Sequence, residues 1–438
     1  MSAPIRTSDW PAVRLRFVAE VNPPPPARDI LDDELEVSFL PMEAIGENGS
    51  LRLDAHRPVA ELRGGYSYFA DGDVAFAKVT PCFENGKGAV MRGLSGGVGF
   101  GSTELTVLRP GPRLDAQFLH FFLCSPLFRG PGAGAMMGAG GLKRVPDEFT
   151  RNTLLPHPPR HVQAAVTRLL DRETTRIDAL IEKKTRFIEL LREKRQAAAA
   201  AGTTGATFTD VQRVPSGLEW APFVPEHWAV CKLSIRYSVE LGKMLDEKKI
   251  SGDCLMPYLR NQDVQWTGIK AVDLPEMDIG ADEVQRYTVR FGDLLVCEGG
   301  DVGRAAIWRG DSGVCGYQKA LHRLRPRYPQ RDLPEFMCLA LAVAKAKGVF
   351  DESDSKATIS HLPAERFRQF RFPFPPLGEQ QKILEDVEKI HSRIDATAAA
   401  VTRSIDLLRE RRAALITAAV TGQIDVCAEQ PDSTLEPT

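Results

Sequence analysis

The chain has 438 residues, 56 of them basic and 58 acidic, a net charge of −2 and eight cysteines. That length suffices for two or three domains with sizeable cores, and the charge balance excludes a uniformly basic nucleic-acid binder. With no CxxC pair, no histidine cluster at metal spacing, no membrane-length apolar run and no signal-peptide profile, neither metal, disulfide framework nor membrane anchor is expected, and a cytoplasmic protein is.

Residues 1–157 are expected to fold as one domain, opening at Trp10–Leu15 and crossing a proline-rich turn at Asn22–Pro26. A turn at Asp71-Gly72 leads into an apolar strand ending near Thr80-Pro81. Glu84–Gly88 is a second turn, before a strand at Ala89–Met91, and Gly101–Pro110 is a further strand. Phe118–Phe128 is apolar and expected to be helical. Gly130 to Gly141, rich in small residues, reads as a mobile loop leading to Lys143-Arg144.

Residues 158–202 carry no proline or glycine between His161 and Ala201 and form a long helix, followed by a linker at 203–216 with a flexible start at Gly202–Gly205. Residues 217–376 echo the first domain. Trp228 stands for Trp10, Gly292-Asp293-Leu294 for Gly72-Asp73-Val74, Leu324-Arg325-Pro326 for Leu108-Arg109-Pro110, the stretch Glu335–Ala346 for the Phe118 helix, and His361-Leu362-Pro363 for Arg144-Val145-Pro146. A second long helix at 377–425 and a disordered tail at 426–438 end the chain.

The long helices are themselves a repeat. Leu155–Arg195 lies without a gap on Phe372–Arg412, matching Arg176-Ile177-Asp178 to Arg393-Ile394-Asp395 and Leu190–Glu193 to Leu407–Glu410. Apolar residues step by three and four: Val166, Leu170, Ile177, Leu180, Phe187 and Leu191 in one copy, Ile383, Val387, Ile390, Ile394, Val401 and Leu408 in the other. Such a seam is buried by pairing, so these twelve residues are the expected helix-pairing contacts. The predicted fold is α/β (mixed α+β): two similar domains joined by two long antiparallel helices in a coiled coil with pseudo-two-fold symmetry.

Candidate catalysis is sparse. Asn22-Pro23-Pro24-Pro25 lacks the aromatic residue of an amino-methyltransferase motif and reads as a turn. Gly96–Gly101 lacks the Lys-Ser/Thr pair of a phosphate-binding loop, and Glu298–Arg304, between two apolar strands, reads as a hairpin loop. His120, His322 and His391 form no visible triad with a serine or cysteine. No cofactor is implied. What remains are polar loops on two similar domains, carrying the residue types that read base edges and phosphates. The DNA-binding candidates are Lys78, Thr80, Asn85, Lys87, Ser102, Thr103, Lys143 and Arg144 in the first domain, and Arg260, Asn261, Gln262, Arg304, Tyr317, Gln318, Lys319 and Lys356 in the second.

Taken together, Gly72–Lys78, Ser102-Thr103-Glu104, Tyr258-Leu259-Arg260, Pro375–Ile383 and Ala418–Gly422, in this order and around two repeated helices, resemble the specificity subunit of type I restriction–modification systems. The first helix departs from that pattern, with Val162-Gln163-Ala164 where the second has Glu379-Gln380-Gln381. The resemblance implies two target-recognition domains, each reading half of a split target in double-stranded DNA. It also implies a helical spacer that docks two methyltransferase subunits, and restriction subunits that join this core. Catalysis would then belong to those partners. A fused methyltransferase, a coiled-coil scaffold without a DNA role and a recognition subunit of a related restriction system are the competing readings.

Overall fold

A computed structural model describes residues 10–27, 31–47, 49–138, 141–245, 252–310, 314–351 and 361–424. The chain divides into two compact units, Met1–Thr185 with Thr402–Thr438, and Arg186–Val401. The expected tail at 426–438 and the candidate Lys356 lie outside the described residues.

In the first unit the strands are β1 (Ala12–Arg14), β2 (Ala19–Val21), β3 (Glu36–Leu40), β4 (His56–Pro58), β5 (Ser67–Ala70), β6 (Val74–Ala77), β7 (Gly88–Val90), β8 (Val98–Gly101), β9 (Leu105–Pro110) and β10 (Leu154–Pro156). One sheet is antiparallel in the order β2-β9-β6-β7. The other runs β4-β3-β8-β5 and has one parallel pair, β3 with β8. Strands β1 and β10 pair antiparallel, which brings the two ends of the domain together at the start of the long helix.

The second unit repeats this topology. Its strands are β11 (Arg213–Pro215), β12 (Phe223–Pro225), β13 (Ala229–Lys232), β14 (Tyr237–Leu241), β15 (Leu255–Leu259), β16 (Val264–Gln265), β17 (Gly268–Ile269), β18 (Glu276–Asp278), β19 (Thr288–Val289), β20 (Leu294–Cys297), β21 (Ala305–Ile307), β22 (Cys315–Tyr317), β23 (Leu321–Pro326) and β24 (Arg371–Phe374). The orders β14-β23-β20-β21 and β18-β15-β22-β19 match the first unit strand for strand, down to the single parallel pair, β15 with β22. Hairpins β11-β12 and β16-β17 are the additions. The loop at Glu298–Arg304 joins the antiparallel pair β20 and β21, as a hairpin should.

Two buried pins explain why the Gly-Asp turn recurs. Gly72 and Gly292 have φ of +92° and +87°, a backbone that disfavours any residue with a Cβ. The next residue, Asp73 or Asp293, is 2 % exposed and accepts a bidentate bond from Arg109 (2.8 and 2.7 Å) or Arg325 (2.7 and 2.6 Å). Each carboxylate also accepts the backbone N–H of Ala70 or Arg290, so the buried charge is paired and the turn is closed by one group.

The long helices run Arg160–Thr203 and Leu377–Val420, 44 residues each. They pair antiparallel within each unit. In the first, Arg412 bonds Asp178 at 2.9 and 3.2 Å, and Val162, Val166 and Leu170 join Ile416, Ala419 and Val420 in one core cluster. In the second, His391 Nε2 donates to the Arg195 carbonyl at 3.0 Å, and Gly202 lies against Ile383 and Val387.

The seam differs from the expected one by one position in the middle of the first helix. Leu180 and Phe187 are 40 % and 44 % exposed, so neither is a pairing contact. Thr174 is buried and Ile181, Lys184 and Ile188 are half-buried, giving steps of three and four from Leu170 to Leu191. In the second helix the six expected contacts are all buried or half-buried, and Ala398 (half-buried) and Ile405 (buried) complete the same stripe. Ile181 and Ile188 stand next to Leu180 and Phe187, so both registers offer apolar residues in the middle of the first helix and only the packing decides between them.

Parts of two segments expected to be loose are packed. The start of the stretch Gly130–Gly141 belongs to the helix Pro126–Gly134, with Gly132 so close to Phe83 that a Cβ would clash. Gly202–Gly205 is the packed end of a helix, with Thr203 fully buried and Gly205 against Pro225 and Trp228. Small residues there permit close approach of neighbouring atoms.

Candidate nucleic-acid interface

In the first unit, three loops converge beyond the C-terminal end of β6. The Lys78 N–H donates to the Glu104 carbonyl at 2.8 Å, and the Lys78 carbonyl accepts the Val145 N–H at 2.8 Å. The Thr80 hydroxyl donates to the Gly141 carbonyl (2.8 Å) and accepts the Lys143 N–H (3.0 Å). Ser102 Oγ accepts the Glu104 N–H at 3.2 Å, and Arg144 makes a bidentate pair with Glu104 at 2.8 and 2.6 Å. The bonds from Arg144 hold the Glu104 carboxyl below the ordinary carboxylate range.

The fold therefore gathers Lys78, Thr80, Ser102, Thr103, Lys143 and Arg144 from three separate stretches of sequence. Thr103, Lys143 and Arg144 are exposed. Asn85 is exposed on the neighbouring turn, and the Lys87 ammonium donates to the Met42 carbonyl at 3.2 Å. Glu104, missing from the candidate set, is the residue that organises the cluster. Its signal was its place directly after Ser102-Thr103.

The second unit builds the same junction from other residues. The Glu298 N–H donates to the Ala320 carbonyl at 2.9 Å, and the Glu298 carbonyl accepts the Leu362 N–H at 2.8 Å, as Lys78 does with Glu104 and Val145. Gly299 bridges His361 as Val79 bridges Arg144. A carboxylate thus stands where the first unit has an ammonium, and an imidazole where it has a guanidinium. Burial, only partly offset by His361 and Lys319, pushes the Glu298 carboxyl up.

The remaining candidates of this unit divide. Asn261 Nδ2 donates to the Gly299 carbonyl (2.7 Å), and Arg304 donates to the Asn261 carbonyl (3.0 Å), so both brace the hairpin loop. Arg260 makes a bidentate pair with Asp263, both bonds at 2.9 Å. Gln262 and Lys319 are exposed and Gln318 is half-buried. Tyr317 is not a surface residue: it is fully buried, donates to the Arg286 carbonyl at 3.1 Å and belongs to the core beside Leu259 and Leu295. It lies on β22, where alternate side chains point inward, and the Gln-Lys pair after it made it look like loop.

Each domain is fastened to a long helix by a duplicated glutamine. Gln163 Oε1 accepts the Asp115 N–H (2.8 Å), and its amide donates to the carbonyls of Arg113 and Pro158. Gln380 does the same with Leu333, Arg331 and Pro375, each at 2.8 Å. Both are at most 1 % exposed. The one residue shared between Val162-Gln163-Ala164 and Glu379-Gln380-Gln381 is thus the one whose three hydrogen bonds orient the domain on its helix. The Val162/Glu379 difference also has a consequence. Glu379 accepts from Trp228 Nε1 and pairs with His227, both at 2.7 Å, whereas the buried Trp10 Nε1 has no partner among the described residues.

Among the described residues no group of three or more His, Cys, Asp and Glu could hold a metal ion, and no helix is long and apolar enough to cross a membrane.

Residues 226–403 match the family model of the type I restriction modification DNA specificity domain. The chain is 42 % identical over 163 residues to the EcoEI specificity subunit and 40 % over 160 residues to the EcoAI specificity subunit, both from Escherichia coli. Each match covers 36 % of this chain and 26 % of the relative, so the chain matches about a quarter of the length of these curated relatives. Among solved structures, a chain from a study of assembly and conformational transition of the type I R-M system superposes with a TM-score of 0.69 at 19 % identity, covering 95 % of this chain and 98 % of that one. The HsdS subunit from Thermoanaerobacter tengcongensis superposes with 0.57 at 18 % identity, covering 96 % and 99 %. The likeness to type I restriction–modification specificity subunits thus rests by sequence on the second domain, and the fold is shared over nearly the whole length.

Proposed function

We propose that this chain is the non-catalytic sequence-specificity subunit of a type I restriction–modification complex. Each domain reads one half of a split duplex target through the junction built around Lys78 and Arg144, or Glu298 and His361. The observation that carries this reading is a duplicated backbone frame presenting different polar groups at equivalent positions. A protein that needed one chemistry would keep those residues alike. One that reads two unlike half-sites must vary them, because base edges differ in their donor and acceptor pattern. The relatives named as specificity subunits support the same role.

Methyl transfer and cleavage belong, in this reading, to two methyltransferase subunits docked on the helices and to restriction subunits that join them. The balanced charge supports the division, since partners would complete the clamp on the phosphates. The test is to co-express the chain with its methyltransferase subunit in a methylation-free host and map methylated adenines. A motif of two defined halves around an undefined spacer is the expected result. A continuous motif, or methylation that ignores substitution of Lys78 and Lys143, overturns the reading.

A further inference from the structure

Within the first unit, a cleft of about 700 Å³ opens between the domain and the long helices, with Arg92, Gln117, His120, Cys124, Asp171 and Arg412 among its lining residues. His120 and Cys124 are four residues apart on the helix Ala116–Cys124 and so share one face. Cys124 Sγ lies 3.6 Å from His120 Nε2 and 3.9 Å from Nδ1. His120 is only 6 % exposed, and among the described residues its ring has no oxygen or nitrogen partner, so a buried polar ring faces the cleft with sulfur as its sole polar contact. The Cys124 side chain is half-buried at the same wall.

Charge around the sulfur favours the anion. Burial opposes ionisation of Cys124, but His120, Arg129 and Arg412 outweigh it and lower the thiol to about 7. Elsewhere burial prevails, over nearby cations at Cys231 and Cys297, and raises the thiols of Cys231, Cys297, Cys315 and Cys338, the last two to about 11 and about 12. The cleft thus gives small molecules a path to a sulfur held in a cationic setting, the arrangement that makes a cysteine nucleophilic.

We propose that Cys124, paired with His120 in this cleft, is a covalent modification site whose thiolate is oxidised by small hydroperoxides to a sulfenic acid. The sulfur attacks one peroxide oxygen, and the O–O bond breaks as the S–O bond forms. Sulfur loses two electrons and the peroxide gains them. The departing oxygen leaves as hydroxide, or as alkoxide from an alkyl hydroperoxide, and takes a proton from solvent or the neighbouring ring to leave as water or alcohol. The first product is the reversible rung of thiol oxidation.

Iodoacetamide labelling of the full native chain between pH 5 and 9, with peptide mass spectrometry, reads this directly. Cys124 should label with a midpoint near pH 7, and at neutral pH about tenfold faster than free cysteine in the same buffer, whose thiol ionises near 8.5. Hydrogen peroxide below one equivalent, followed by dimedone, should place the adduct on Cys124 first. His120→Ala, with its circular dichroism spectrum unchanged, should move the labelling midpoint up by about one unit or more. The wild-type profile decides the matter even if that variant fails to fold. A Cys124 midpoint at or above that of free cysteine, or no dimedone adduct at Cys124 while another cysteine of the chain is modified, overturns the proposal.

Discussion

Single residues with duplicated partners are the sharpest tests of the structure. Glu379 satisfies two ring N–H groups, Trp228 Nε1 and His227 Nε2, so Glu379→Val leaves a buried indole donor unpaired. The expected loss is about 1–3 kcal/mol, read as a lower urea midpoint at unchanged slope. Trp10, packed against the first unit's core cluster that includes Val162, already lacks such a partner among the described residues. His322 sets a pH dependence. Burial lowers it from an ordinary 6.5 to about 4, although its Nε2 donates to the Leu362 carbonyl at 2.7 Å. The unfolded chain takes up the proton first as pH falls, so this contribution is whole above about 6.5 and is lost progressively down to about 4, a total loss of roughly 3 kcal/mol. Chemical denaturation at pH 7 and 4.5 should show the second unit weakening, and His322→Gln should remove most of the difference.

At the level of elements, the helix seam keeps its steps of three and four, but in the middle of the first helix it runs through Ile181 and Ile188 and not through Leu180 and Phe187. Ile405 is 6 % exposed and Phe187 is 44 % exposed, although Phe is the larger apolar group. Ile405→Ala should therefore cost about 2 kcal/mol or more, while Phe187→Ala changes the denaturation midpoint by an amount near ~0.5 kcal/mol or less. Equal losses at both positions would refute the register. The start of each long helix teaches the converse. Gln163 and Gln380 are isolated polar letters in the sequence, and only the fold shows that the backbone groups they satisfy lie about fifty residues earlier.

For the molecule as a whole, a reader of two half-sites needs a fixed distance between its readers, and one DNA turn spans about 34–36 Å, so only certain spacings present both halves on one face. On the proposed function, four residues inserted near Ala198 should change the spacer of the methylated motif and leave both half-sites intact. Methylome sequencing of the variant checks this. An altered half-site with the old spacer would contradict it. The same reading expects Lys78→Glu to relax or change one half of the motif only.

Much is legible in the amino-acid sequence alone. The gapless repeat, the helices, the Gly-Asp turns and the strand echoes all come from local pattern: residues a few positions apart obey 3.6-fold or two-fold periodicity, and a duplicated pattern repeats its fold. Legibility ended where meaning depends on distant partners. Tyr317 could be recognised as core, Glu104 as the organiser of the Lys78 and Arg144 cluster, and Cys124 as the sulfur beside a buried imidazole in a cleft, only once the sheets and the helix pair had brought remote segments together. Composition and spacing record what each stretch prefers to be. Burial and charge environment are properties of neighbours, and neighbours are chosen by the tertiary fold.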